Sequence, residues 1–93
     1  MSRLTRLAPK GKRTDFMLQC IKAALAEARA AHPTPFVDAH HMLGVLEEEI
    51  HELRQKIFKR KINVEHLQSE LLQCCAVCLR GLEDVTLQKK GQR

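Results

Sequence analysis

Apolar residues recur along this chain at intervals of three and four, the spacing that places side chains on one face of an α-helix. The first such segment runs from Asp15 to about Ala31 and follows Thr14, a suitable helix cap. Its apolar positions are Met17, Cys20, Ile21, Ala24, Ala28 and Ala31. Because this face is narrow and rich in alanine, we expect another helix to approach it closely.

A second helix is predicted after the segment His32-Pro33-Thr34-Pro35, because a proline disfavours helical conformation in the residue before it. Pro35 is expected to open this helix with Thr34 as its cap, and the helix should continue to about Arg60. Its apolar face comprises Met42, Leu43, Leu46, Ile50, Leu53 and Ile57. Gly44 interrupts the pattern, and a close approach of another backbone would explain it.

A third helix is predicted from a cap at Asn63 to about Lys89. The connection to the second helix is short, so the two helices should lie antiparallel. Residues 71–79 are apolar on almost every side, which indicates burial on more than one side. Three short helices cannot enclose this segment, so we expect a homodimer or homotetramer that forms a helical bundle.

The composition also favours helices over strands, because the only aromatic residues are three phenylalanines and helix-forming residues are abundant. The predicted fold class is therefore all-α: a three-helix antiparallel chain that oligomerises. We divide the chain into a flexible basic arm (residues 1–13), a single domain (residues 14–89) and a tail (residues 90–93). The 16 Lys and Arg residues outnumber the 11 Asp and Glu residues, with much of the excess at the two ends.

The sequence shows neither a membrane span nor the apolar core of a secretory signal, so we expect a cytoplasmic protein with no membrane partner. Cys74, Cys75 and Cys78 crowd into the apolar part of the third helix, and Cys20 lies in the first helix. Reduced, mostly buried thiols are the expected state. A zinc ribbon would need a second CxxC pair, which this chain lacks.

A group of glutamates on the second helix is the candidate chemical site. Glu48 and Glu52 are four residues apart on one side, and Glu49 lies between them and the apolar stripe. Antiparallel packing places Glu70 of the third helix opposite them. These carboxylates repel one another unless a cation neutralises them, and hard oxygen ligands suit Mg²⁺. The sequence therefore predicts a magnesium site across two helices, with Mn²⁺ as the alternative ion.

The sequence around these glutamates resembles the signature of a known family. Residues 48–52 have the form EExxE, and Glu70-Leu71-Leu72-Gln73 resembles the second half of the EExxE and ExxD signature of the MazG-like all-α nucleoside triphosphate pyrophosphohydrolases. Residues 40–46 and 77–80 also look like phage and bacterial members of that group. The resemblance covers about Phe36 to Val85.

The resemblance implies hydrolysis of a (d)NTP to a (d)NMP and pyrophosphate, with Mg²⁺ bound by the signature residues. Carried onto this chain, the metal ligands are Glu48, Glu49, Glu52, Glu70 and Gln73. Gln73 occupies the family's aspartate position and supplies less charge. Glu49 or Glu52 would accept a proton from the attacking water. The residues expected to contact the substrate are His41, Lys56 and Arg80.

Other interpretations remain open. A run of glutamates is often a solvated helix face with ion pairs, and Glu52 and Lys56 have the spacing of such a pair. The basic arm fits a small helical nucleic-acid-binding or regulatory protein, although the chain lacks a set of stacking aromatics and a compact basic recognition helix, which disfavours nucleic acid as the partner. A MazG-like assembly protein that has lost catalysis through Gln73 is the third interpretation.

Overall fold

Three α-helices make up most of residues 11 to 87, which are the residues that the computed structural model describes. The helices are α1 (Arg13–Ala31), α2 (Ala39–Ile57) and α3 (Val64–Gly81), and a π-helical turn, Leu82–Thr86, follows α3. No strand occurs in this range, so the all-α prediction is confirmed for it. None of the helices described combines the length and apolarity that crossing a membrane requires. The first ten residues of the predicted arm and the predicted tail lie outside the described residues.

The helix N-termini agree with the sequence prediction only in part. Asn63 caps α3 as predicted, because its Oδ1 accepts a hydrogen bond of 3.0 Å from the backbone N–H of His66. The predicted start of α2 at Pro35 is wrong. That helix begins four residues later, after Asp38, whose carboxylate accepts a hydrogen bond of 2.8 Å from the His41 N–H. An extended connector, residues 32–38, therefore joins α1 to α2.

The other helix ends also differ from the predicted limits. α1 begins at Arg13, so Thr14 lies in its first turn and is not its cap. α2 ends at Ile57 and not at Arg60. The third helix continues past Gly81 as predicted, but with a π-helical backbone that ends at Thr86, and Leu87 is not helical. The end predicted at Lys89 lies outside the described residues.

α3 is the central helix, because α1 and α2 both pack mainly against it. α2 and α3 are antiparallel: Met42 near the start of α2 meets Gly81 at the end of α3, and Glu52 of α2 meets Glu70 of α3. The buried apolar residues are Ala24, Phe36, Ala76 and Val77. Three of these come from α1 and α3, whose alanines permit the close contact predicted for α1, and the fourth comes from the connector.

A close backbone approach was expected at Gly44, but the close contact occurs at Gly81, with the Met42 side chain. A β-carbon at Gly81 would collide with the Sδ and Cγ atoms of Met42. A β-carbon at Gly44 would have no neighbour within 4 Å among the residues described. The absence of a side chain at Gly81 therefore leaves room for the Met42 side chain where α2 packs against α3.

The predicted apolar face of α2 divides into two sides. Met42, Leu46 and Leu53 are partly buried, whereas Leu43, Ile50 and Ile57 keep 48%, 42% and 41% of their surfaces exposed. We call the second set the exposed stripe. The division arises because α3 covers only one side of α2.

The cysteines are free, but the expectation that they are mostly buried is wrong for two of them. Cys20 and Cys74 are partly buried, whereas Cys75 and Cys78 are exposed. Positions 75 and 78 lie on the side of α3 that neither α1 nor α2 covers. The apolar sequence around them suggested burial that the described part of the chain does not provide.

Candidate functional site

Three glutamates from α2 and α3 meet in a carboxylate cluster. One carboxylate oxygen from each of Glu49, Glu52 and Glu70 can be chosen so that all three lie within 4.8 Å of one another. Glu49 and Glu52 are almost one helical turn apart on α2, and antiparallel packing brings Glu70 of α3 to the same level. The cluster can therefore offer three oxygen ligands to a single cation.

The interior of the carboxylate cluster is electrostatically unfavourable without such a cation. The Oε2 atoms of Glu49 and Glu70 are buried and have no hydrogen-bond partner among residues 11 to 87. Burial, followed by the charges of Glu52, Glu70 and Glu48, raises the pKa of Glu49. Within the same range no Lys or Arg forms an ion pair with these three carboxylates. Negative charge is thus concentrated at this point, and no cationic side chain of residues 11 to 87 pairs with it.

The remaining predicted metal ligands lie at the edge of the cluster. Glu48 is exposed and is not among the three glutamates that meet, although its charge contributes to the raised pKa of Glu49. Gln73 is partly buried and lines a small pocket of about 250 Å³ together with Glu49. The expected ion pair between Glu52 and Lys56 does not form, and Lys56 is partly buried one turn beyond Glu52.

A larger pocket of about 430 Å³ adjoins the carboxylate cluster, and we call it the connector pocket. It is bounded by the end of α1, the connector, the first half of α2 and the end of α3. Its lining includes Glu48, Glu49, His41, Phe36, Val45 and Arg80. Two of the predicted substrate-contacting residues, His41 and Arg80, therefore share a pocket with Glu49. Lys56 does not line it.

Arg80 is the buried cation of the connector pocket. Only 4% of its surface is exposed, and its guanidinium carbon lies 4.2 Å from the centroid of the Phe36 ring. The Nε atom has no hydrogen-bond partner among the described residues. A guanidinium that lies over an aromatic ring and has an unused donor is suited to bind a phosphate or carboxylate oxygen.

Phe36 connects Arg80 to His41. The Phe36 side chain is only 2% exposed, and its ring meets the His41 ring edge to face with the centroids 5.2 Å apart. The Nδ1 atom of His41 accepts a hydrogen bond of 3.0 Å from the backbone N–H of Val37. In the neutral imidazole this assigns the proton to Nε2, which can donate to a ligand in the pocket.

Asp84 fixes the connector to the helices. Its carboxylate accepts hydrogen bonds of 3.0 Å from Arg29 of α1 and 3.1 Å from the backbone N–H of Phe36. Burial opposes ionisation of Asp84, but these hydrogen bonds and the charges of Arg29 and Arg80 outweigh it and lower its pKa. Arg29 also pairs with Glu83 at 2.6 Å. Asp84 thus holds Phe36 in place over Arg80.

Sequence reasoning missed Arg29, Phe36 and Asp84 as parts of this site. Arg29 and Asp84 are separated by 55 positions, and Phe36 and Asp84 by 48, so no local pattern links them. The only local signal was the apolar Phe36 inside a proline-rich segment, where a buried aromatic anchor is a reasonable expectation.

No protein-family profile matches the chain, and no curated protein or solved structure is significantly similar to it. The resemblance to MazG-like enzymes therefore rests on the short motifs of α2 and α3.

Proposed function

We propose that the protein is a Mg²⁺-dependent, MazG-like nucleoside triphosphate pyrophosphohydrolase that converts a (d)NTP and water to a (d)NMP and pyrophosphate. One observation carries the proposal: Glu49 belongs to the carboxylate cluster and also lines the pocket that contains Arg80 and His41. Glu49 therefore joins the proposed metal ligands to the pocket that contains the proposed anion-binding residues. A triphosphate on Mg²⁺ requires both at once.

The donor set fits Mg²⁺. Glu49, Glu52 and Glu70 supply oxygen ligands only, and two of their buried oxygens have no partner in the described range. Glu48 and Gln73 would complete the ligand set from its edge, the latter through its amide oxygen. When bound, Mg²⁺ or Mn²⁺ offsets the negative charge of phosphate oxygens and lowers the pKa of a coordinated water.

The protein residues have distinct proposed roles. Arg80 binds phosphate oxygens through its unused donors, and the Nε2–H group of His41 donates to the nucleotide. Glu49 or Glu52 accepts the proton of the attacking water, because a carboxylate beside the phosphate chain is a suitable general base. Lys56 adds positive charge one turn beyond Glu52. The function implies a cytoplasmic location, and the proposed assembly is a homodimer or homotetramer.

The direct test is to incubate the protein with each (d)NTP and Mg²⁺ and to measure pyrophosphate and monophosphate. We expect equal amounts of the two products, and we expect E49Q to reduce turnover by about 100-fold or more, the usual scale for loss of a positioned base. E47Q is the matched control, because Glu47 is an exposed neighbour outside the cluster. Absence of pyrophosphate with every nucleotide would overturn the proposed activity.

The same experiment distinguishes the enzyme from the alternative interpretation, an assembly protein without catalytic activity. Gln73 is neutral where the family signature has an aspartate, and this observation is what favours an inactive form. Nucleotide binding that requires Mg²⁺ but gives no product would support that form. In this case Q73D should restore measurable turnover by adding the missing charge to the ligand set.

A further inference from the structure

A second charged region lies at the opposite end of the α2–α3 pair. It comprises the last turn of α2, the connection and the start of α3, residues 54–64, and we call it the basic tip. Its five cationic residues are Arg54, Lys56, Lys59, Arg60 and Lys61, and it contains no acidic residue. Within the described part of the chain none of them forms an ion pair. The tip therefore presents a concentrated positive field.

Exposed apolar side chains lie among these cations. Phe58 has 75% of its surface exposed, and Ile62 and Val64 have 44% and 46% exposed. The Arg54 guanidinium carbon lies 5.1 Å from the centroid of the Phe58 ring, so it covers one face of that ring. The large exposed fraction of Phe58 indicates that the other face is accessible. A stacking surface is thus combined with uncompensated positive charge.

We infer that the basic tip binds single-stranded nucleic acid. Lysines and arginines contact the phosphates, and an unstacked base packs on the open face of Phe58 against a ring that Arg54 already covers. Duplex nucleic acid fits less well, because its bases are paired and stacked and cannot reach the ring. The chemistry matches the known requirements for binding single strands without sequence preference.

Two other occupants fit the tip less well. A second copy of the chain would bring five more cations against these five, and like charges repel. An anionic lipid surface would attract the cations, but inserting Phe58 would draw the stacked Arg54 guanidinium towards the hydrocarbon, which is costly. A single strand provides phosphates for the cations and an unstacked base for the Phe58 ring.

The tip is separate from the connector pocket, although Lys56 of the tip lies one turn beyond Glu52 of the carboxylate cluster. Val45 of the connector pocket and Phe58 are 13 positions apart along α2, which corresponds to about 20 Å at the rise of a helix. Phe58 and the cations at positions 59–61 are therefore well separated from the connector pocket. The inference does not depend on the proposed hydrolysis.

The test measures fluorescence anisotropy of labelled single-stranded DNA and RNA of mixed sequence with the full chain over a series of salt concentrations. K59Q/R60Q/K61Q should reduce affinity by about 100-fold near 0.1 M salt and make the log–log salt slope shallower by about 2, as loss of three phosphate contacts requires. F58A should reduce affinity by about 10-fold with an unchanged salt slope, because stacking releases no counterions.

The matched control is K12Q/R13Q/K22Q, which removes the same charge from two exposed positions of α1 and from the exposed residue before it. It should retain most of the affinity. An equal loss in this control would overturn the inference, because the effect would then follow net charge alone. Equal affinity for duplex and single strands would also overturn the inference. Binding to anionic vesicles without binding to single strands would overturn it as well. Circular dichroism and thermal unfolding check that each variant is folded.

Discussion

At the scale of the residue, the placement of Glu49 that suits the proposed cation binding also destabilises the fold. Its side chain is partly buried beside Glu52 and Glu70, and one of its oxygens has no partner in the described range. Such an arrangement opposes folding unless a ligand compensates for it. Asp84 is its opposite, since each of its oxygens has a donor and its charge supports the fold.

The raised pKa of Glu49 predicts that its charge destabilises the protein at neutral pH. The native state binds this proton more tightly than the unfolded chain does, so the free energy of unfolding falls as pH rises from the ordinary glutamate pKa through the raised one. E49Q should therefore raise the melting temperature by a few degrees in a chelator at neutral pH.

Thermal unfolding with and without Mg²⁺ measures this effect. Mg²⁺ should stabilise the unmodified protein and stabilise E49Q much less, because ligand binding to the native state raises its stability. E47Q should behave like the unmodified protein in both conditions. A lower melting temperature for E49Q in the chelator would contradict the destabilising role of this carboxylate.

The lowered pKa of Asp84 predicts the reverse dependence on pH. Its stabilisation is complete above the ordinary aspartate pKa and is lost as pH falls through the lowered value. D84N should reduce the free energy of unfolding at neutral pH by about 1–3 kcal/mol, the usual effect of losing a charged hydrogen bond in a buried site.

Urea unfolding at a series of pH values tests this prediction. The difference between the unmodified protein and D84N should shrink as the pH falls below about 4, because Asp84 of the unfolded chain binds its proton there before Asp84 of the native protein does. E83Q is the control, because the exposed ion pair of Glu83 with Arg29 contributes only about 0–1 kcal/mol. A difference that is constant with pH would show that the charge of Asp84 is unimportant.

At the scale of the element, two helical glycines should respond oppositely to the same change. G81A should destabilise the protein by about 1–3 kcal/mol, because the new methyl group collides with Met42. G44A should stabilise it by up to about 1 kcal/mol, because its site is open and alanine is the better helix former.

Chemical denaturation of both variants and of M42A/G81A measures these effects. Shortening Met42 removes the collision, so G81A should cost less in the M42A background than in the unmodified protein. Equal effects of the two glycine substitutions would contradict the close approach at Gly81.

The sequence predicts the elements of this fold better than their limits. Spacing of three and four was enough to predict three helices, and the antiparallel pairing was enough to predict that Glu70 would face the α2 glutamates. The start of α2 was not predictable, because Thr34-Pro35 and Asp38 are both good start signals. The choice depends on burying Phe36 against Arg80 and Asp84, and no local pattern encodes contacts between residues so distant in sequence.

At the scale of the whole molecule, the exposed stripe is the surface through which we expect the proposed oligomer to form. Leu43, Ile50 and Ile57 are spaced by seven, so they form one line along α2 that is symmetric about Ile50. Two copies related by a two-fold axis through Ile50 would place Leu43 of one copy against Ile57 of the other. A symmetric dimer requires a self-complementary surface of this kind.

We therefore predict that I50E dissociates the assembly without unfolding the helices. Light scattering coupled to size exclusion should give a monomer for I50E and an oligomer for the unmodified protein, while circular dichroism stays unchanged. L18E places the same charge on exposed α1 and should leave the oligomer intact. A monomeric unmodified protein would contradict the role given to the stripe.

The attachment of the connector to Asp84 has a consequence for folding kinetics. The pairing of α2 with α3 needs only a short loop, whereas the contacts of Asp84 with Phe36 and Arg29 close loops of 48 and 55 residues. Larger loops lose more chain entropy on closure and form later. We expect the helical pair to form first and the connector pocket to form in the last step. In native-state hydrogen exchange the Phe36 amide should then open by a smaller fluctuation than the α3 amides around Val77.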